Sequence, residues 1–229
     1  MEQLHGGLTL QLCPGAFPLS TDSMVLSGFV RLGKQAKVLD LGSGCGTLGL
    51  LLCADHPDCT VTGVELDKNA HAAALENIRT NKLTTRMESI CADFTQIHNS
   101  LTPCSFTACI SNPPYFATGP ASQTLPTARR EDRCTLEALF KAAARYIKYG
   151  GDFFLVHRPE RLAELMACAN KTGLEPKRLC LVRHKKTDNV TLILLQCRKG
   201  GKPGLQWEEV FLHFDDGSPS EYYRKLYHL

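Results

Sequence analysis

Lys37-Val38-Leu39-Asp40-Leu41-Gly42-Ser43-Gly44-Cys45-Gly46 is the stretch on which the fold turns. A short apolar run ends in a glycine-rich turn, and Thr47 to Ala54 follows with helical composition. A strand that feeds a glycine turn and then a helix opens a βαβ unit, since glycine lets the chain turn sharply and lets a ligand approach the backbone. Working outward, Thr60 to Leu66 reads as a second strand, and Asp67 to Asn81 as a helix opened by an Asp cap. Met87 to Cys91 and Phe106 to Ile110 read as strands three and four. Cys134 to Tyr149 reads as a helix stopped at Gly150-Gly151, and Asp152 to Val156 as strand five. Pro159 to Thr172 is a helix with Pro in its first turn. Lys177 to Arg183 and Val190 to Cys197 are strands six and seven. Only His184 to Asn189 joins them, too short a link for a parallel crossover, so they are predicted antiparallel. The alternation predicts a doubly wound α/β domain with a mainly parallel sheet.

Composition agrees with one globular domain. The chain has 229 residues, 43% of them hydrophobic, and a formal charge of +3, which excludes disorder as the main state. The longest apolar runs, Leu48 to Ala54 and Val190 to Leu195, fall far short of the roughly 20 residues of a membrane span. No basic region followed by an apolar core opens the chain, so no signal peptide is expected. Eleven cysteines include no CxxC pair and are odd in number, against both a thiolate zinc site and a disulfide framework. They read as small core hydrophobes in a reducing cytoplasm. No metal is expected, and the expected state is a monomer.

The glycine turn carries the first chemistry. Asp40 precedes Gly42, Gly44 and Gly46, and Glu65 ends the second strand about 20 residues on, where a carboxylate can accept both hydroxyls of a ribose. An anion ahead of the turn disfavours a pyrophosphate and suits a cationic sulfonium ligand with an amino-acid tail.

The second constellation is Asn112-Pro113-Pro114-Tyr115, directly after strand four. Two prolines deny this turn helix and ladder bonds and stiffen it. An amide-type nitrogen is a poor nucleophile because its lone pair is delocalised. The Asn112 side-chain carbonyl and the Pro113 carbonyl can accept its two N–H bonds, while Tyr115 stacks on the ring behind it. Strands one and four are neighbours where the strand order of a doubly wound sheet reverses, which is where ligands bind.

The segments Val38 to Gly46 and Val64-Glu65-Leu66-Asp67 resemble the class I S-adenosylmethionine-dependent methyltransferases. The resemblance implies a Rossmann-like, seven-stranded, mainly parallel sheet with an antiparallel last strand and helices on both faces. It implies S-adenosyl-L-methionine as cofactor, held by Asp40, Gly42, Gly44, Gly46, Glu65, Asn112 and Asp93, the last at the adenine amino group. In this family the NPPY turn resembles that of amino-group methylators, and Asn112, Pro113 and Tyr115 are the implied catalytic residues.

Flanking blocks narrow the resemblance. Leu19 to Leu26, Ala128-Arg129-Arg130-Glu131, Val156 to Leu162, Leu174 to Leu179, Lys199 to Gly204 and the ending Glu221 to Tyr227 are similar to the bacterial tRNA1(Val) adenine-37 N6-methyltransferases. That implies tRNA as partner, with Pro114, Phe116, Arg129, Arg130, Lys185 and Lys186 contacting RNA. Residues 1–36 are then a covering extension, 37–199 the core and 200–229 a C-terminal extension. Between Lys171 and Lys202, nine cations face only Glu175 and Asp188, a net +7 in 32 residues that reads as a phosphate-binding face. Ala117 to Arg133, without periodicity, is expected to be a mobile loop over the site. Thr21 and Asp22 are expected to cap a helix or cover the cofactor, and His157 with Arg158 to close strand five or face substrate. Three alternatives stand beside this reading: glutamine N5 methylation of a translation factor, an NAD-dependent oxidoreductase, and a non-catalytic RNA-binding module.

Overall fold

The computed structural model describes residues 1–16, 18–113 and 135–229. A small antiparallel pair, β1 (Glu2–Gln3) and β2 (Thr9–Leu10), comes first, followed by α1 (Thr21–Phe29). Then come β3 (Lys37–Leu41), α2 (Thr47–Asp55), β4 (Thr60–Glu65), α3 (Lys68–Thr80), β5 (Met87–Cys91) and β6 (Phe106–Ser111). After the undescribed segment come α4 (Leu136–Tyr146), β7 (Ile147–His157), α5 (Leu162–Thr172), β8 (Leu174–Lys185), β9 (Val190–Lys199), β10 (Gln206–His213) and α6 (Glu221–Leu226).

The main sheet runs β10-β8-β9-β7-β6-β3-β4-β5. All its pairings are parallel except those of β9, which is antiparallel to both β7 and β8. The seven expected strands and the antiparallel last one are present. The sheet also has an eighth strand: β10, from the segment expected to be an extension, pairs in parallel with β8. Its Gln206-Trp207-Glu208-Glu209 half is exposed, so it lacks the apolar alternation that announces a strand, as suits an edge.

Both faces of the sheet are covered. Along β7, Phe153 and Leu155 join the core under α4 and α5, while Phe154 and Val156 join the core under α1 and α2. The period of two assigns each side chain to its layer. Phe140 and Phe153 meet edge to face at 5.1 Å, both fully buried. Seven cysteines (45, 53, 59, 109, 168, 180 and 197) are buried, and burial pushes the Cys180 thiol up to about 12. They pack as hydrophobes.

Strands five and six are longer than expected, and two helix boundaries also differ. The helix read as ending at Tyr149 stops at Tyr146, and Ile147 already pairs with Phe106. The residues before Asp152 form an irregularity in the β6–β7 ladder, closed by Gly151, where a Cβ would lie 2.7 Å from the Thr107 carbonyl oxygen. The helix read from Pro159 begins as a 3-10 turn, Pro159–Arg161, before α5.

Candidate active site

Register brings the two sequence motifs to one level. Asp40 pairs with Ile110 on one side and with Gly63 on the other. Gly42, Asn112 and Glu65 each lie two residues further on, so all three stand at the carboxyl edge of adjacent strands. Ser111 ties the strand ends together, its hydroxyl donating to the Leu41 carbonyl at 2.8 Å.

The glycine turn leaves a cradle. Gly42 (φ 74°) and Gly44 (φ 55°) have left-handed backbones, and a Cβ on either would meet nothing within 4 Å. These two face open space, where a ligand can lie against the backbone. Gly46 differs: a Cβ there would lie 2.9 Å from the Met87 methyl, so it serves helix–strand packing and starts α2 in a left-handed conformation. Glu65 shapes the turn, its two carboxylate oxygens accepting the Gly44 N–H at 2.8 Å and the Asp67 N–H at 2.7 Å. Asp67 caps α3.

Asp40 lies beneath the cradle, fully buried, and neither carboxylate oxygen has a hydrogen-bond partner among the described residues. Burial, with the Glu65 charge second, pushes its carboxyl up to about 8. An unpaired buried carboxylate is expensive, and a cation placed beside it removes much of that penalty. An orphaned acid next to an open glycine cradle therefore fits the sulfonium and ammonium of S-adenosylmethionine. Asp93 follows β5, where Oδ1 accepts from the Thr95 amide (2.9 Å) and hydroxyl (2.6 Å). It makes a local turn at the same edge.

Asn112 is anchored from across the chain, its Nδ2 donating to the Ser23 hydroxyl at 3.1 Å. Ser23 is buried in the first turn of α1, which Ser20 caps by accepting the Ser23 N–H. Thr21 and Asp22 thus sit in the helix rather than at its cap. Pro113 is buried. His157 is buried and its Nδ1 accepts the Arg158 N–H at 2.8 Å, while burial pushes its pKa down to about 4, with Arg161 adding to the shift. It closes β7 as a neutral acceptor. Pro114, Tyr115, Phe116, Arg129, Arg130 and the Ala117 to Arg133 loop lie outside the described residues.

The basic segment does not form one face. β8 is parallel to β7, so Arg183, Lys185 and Lys186 reach the carboxyl edge, while Lys171, Lys177, Arg198, Lys199 and Lys202 gather at the other end of a strand of 12 residues, about 35 Å away. Many of these cations are also engaged. Arg178 pairs with Glu208 at 3.0 Å, Arg183 with Glu209 at 3.4 Å, and Arg198 with Asp152 at 2.9 Å. The acids come from outside the segment, so a charge count within it misses them. Lys185 Nζ donates to the Asp215 carbonyl at 3.0 Å, and Lys186 is exposed.

Some site residues carried no sequence signal. Asn77, buried on α3, accepts the Gln11 N–H and donates to the Gln11 and Cys45 carbonyls, fastening the N-terminal segment to the glycine turn. Asn81, one helical turn on, grips Thr9 in the same way. Two polar residues at i, i+4 on a buried helix face were the available hint.

A family model for the methyltransferase small domain matches residues 20–168. The chain belongs to this family. Within it, the chain is 36% identical over 188 residues to the tRNA1(Val) (adenine(37)-N6)-methyltransferase of Tolumonas auensis, covering 79% of this chain and 76% of the relative. It is 29% identical over 207 residues to the protein of that name from Photobacterium profundum, covering 88% and 86%. The fold is shared with a predicted O-methyltransferase from Agrobacterium tumefaciens (TM-score 0.76, 21% identity, 91% and 96% coverage). It is shared too with geranyl diphosphate C-methyltransferase from Streptomyces coelicolor, solved with S-adenosyl-L-homocysteine (TM-score 0.59, 12% identity, 77% and 76% coverage). This methyltransferase small domain chain is thus an S-adenosylmethionine-dependent enzyme on a Rossmann-like class I fold. No described helix is long and apolar enough to cross a membrane.

Proposed function

We infer that this methyltransferase modifies the exocyclic N6 of an adenine in tRNA, at adenine 37 of tRNA1(Val). The observation that carries the reading is the level placement of an anchored Asn112 beside the glycine cradle and the orphaned Asp40. The names of the relatives supply the substrate.

In this reading Asp40, Gly42, Gly44, Glu65 and Asp93 hold S-adenosylmethionine, which supplies an electrophilic methyl group, while Gly46 shapes the turn and Asn112 serves the acceptor base. The Asn112 carboxamide oxygen and the Pro113 carbonyl accept the two N6 hydrogens, with Tyr115 stacked on the base. Fixing the amino group on a line of attack supplies the catalysis, with acceptor electrostatics favouring the charge that develops on nitrogen. His157 is a weak proton acceptor, since burial lowers its pKa to about 4, and its Nδ1 already accepts the Arg158 N–H. The surplus proton leaves to solvent once methylation has ended the delocalisation of the nitrogen. A stacked adenine must first be flipped out at a cost of a few kcal/mol, roughly, which contacts from Lys185, Lys186, Pro114, Phe116, Arg129 and Arg130 to RNA offset. A row of rings supports an RNA path at this edge: His184, His213, Tyr223 and Tyr227 follow one another at 4.7, 4.7 and 4.3 Å. Residues 1–36 cover the site from the α1 side, residues 37–199 form the core, and 200–229 add the outer strand and final helix. A tRNA substrate supports a cytoplasmic reaction.

The test is incubation with labelled cofactor and either tRNA or a release factor, followed by nucleoside mass spectrometry. N6-methyladenosine at position 37 of tRNA1(Val) is expected. Label on a protein glutamine, with none in RNA, would refute the assignment.

A further inference from the structure

We propose that His5, Asp55 and His228 form a binding site for a first-row divalent metal ion of the zinc type, which clasps both ends of the chain to α2. The two imidazoles converge on one carboxylate oxygen. His5 Nε2 is 2.8 Å from Asp55 Oδ1, and His228 Nε2 is 3.7 Å from the same atom. The three potential ligand atoms lie within 4.8 Å of one another. Ligands about 2.1 Å from a tetrahedral ion stand about 3.4 Å apart, so small side-chain movements bring these three to ligating positions. The imidazole rings are stacked at 4.0 Å, so one of them must turn about its side-chain bonds for both nitrogens to meet a single ion.

Asp55 is the last residue of α2, and that last turn holds no basic side chain of its own. The Arg86 guanidinium covers the helix end, donating to the Cys53 and His56 carbonyls at 3.1 and 2.7 Å, while Asp55 faces the two imidazoles. The donor set decides the ion. Two neutral imidazoles and one carboxylate suit zinc, cobalt, nickel or copper, and are too poor in oxygen for calcium or magnesium. Three protein ligands leave a position for water. The site stands about 13 Å along α2 from the glycine turn, so the ion's work is structural. It would join residues 5, 55 and 228 and steady the N-terminal segment that leads into α1. The cysteine spacing that argues against a thiolate zinc site has no bearing on residues so far apart in sequence.

The test uses the full chain, stripped with chelator and kept reduced, titrated with Co²⁺ and with Zn²⁺. One equivalent of Co²⁺ should bind, with visible d–d bands and no thiolate-to-cobalt charge-transfer band. Saturating Zn²⁺ should raise the melting temperature by about 3 to 6 °C. His228→Ala, at an exposed position beside the C-terminus, and Asp55→Asn, which retains a side-chain acceptor for His5, should each weaken Co²⁺ binding at least about tenfold and abolish the Zn²⁺ shift. Without metal, His228→Ala should melt within about 2 °C of the parent. A thiolate band, undiminished binding in both variants, or no binding by the parent would overturn the proposal.

Discussion

The two ends of the sheet are built from the same strands and treat their polar groups in opposite ways. At the amino end the chain supplies most of the partners itself, the buried Arg145 Nη1 being an exception. Arg198 grips both oxygens of Asp152 at 2.9 Å, and Lys199 Nζ donates to the Ala144 and Ile147 carbonyls at 2.6 and 2.8 Å, where α4 ends. At the carboxyl end Asp40 is fully buried with neither oxygen partnered among the described residues, beside glycines that leave space open. An edge satisfied by its own chain has nothing to offer a ligand. An edge that holds a buried acid without a described partner gains by binding a cation, which supports the proposed placement of the cofactor at the carboxyl end.

Substitutions can break or sharpen that contrast. The largest effect is expected from Asn112→Ala, which should lower kcat about 10² to 10³-fold while S-adenosylhomocysteine affinity, read by calorimetry, stays within about threefold. An equal loss of cofactor affinity would move Asn112 from the acceptor base to the cofactor.

Asp40→Asn should weaken S-adenosylmethionine binding about 100-fold and at the same time stabilise the fold. The folded pKa of about 8 lies above the ordinary 3.8. Between those values the unfolded chain has lost the proton and the folded chain keeps it, so stability falls as pH rises through that window and levels off above it. The variant lacks this fall. Its melting temperature should exceed the parent's by about 5 °C at pH 8, with little difference near pH 4. A variant less stable at pH 8 would mean that Asp40 has partners in the folded chain.

Asn77→Ala strands the Gln11 N–H and the Cys45 carbonyl, and should cost about 2 kcal/mol in denaturant unfolding. The smallest effect belongs to the other end of the sheet. Arg198→Ala removes a half-exposed ion pair, so a loss of about 0.5 kcal/mol is expected, with methylation rate unchanged. A large activity loss there would erase the distinction between the two edges.

The basic segment shows where charge counting fails. Its nine cations look like one surface along the chain, yet β8 carries them to both ends of the sheet, and Asp152, Glu208 and Glu209 arrive from other strands to pair with three of them. Glu208 and Glu209 do so from β10, whose exposed half has no strand pattern to read. Helix Leu136–Tyr146 was legible in position and not in its end, because the strand that follows begins before the glycines rather than after them.

From sequence alone the order of the seven core strands and the helices between them, the antiparallel seventh strand, the glycine turn with Asp40 and Glu65, and the placement of Asn112 after strand four could all be read. Each rests on a local pattern: period, cap, turn or neighbouring charge. Only the tertiary structure decided that Asp40 is buried without a described partner, that Ser23 holds Asn112 across 89 positions, that Gly46 packs while Gly42 and Gly44 stay open, and that His5 and His228 meet at Asp55. Those facts depend on which distant residues the closed fold brings within a few ångströms, and spacing along a chain does not encode separation in space.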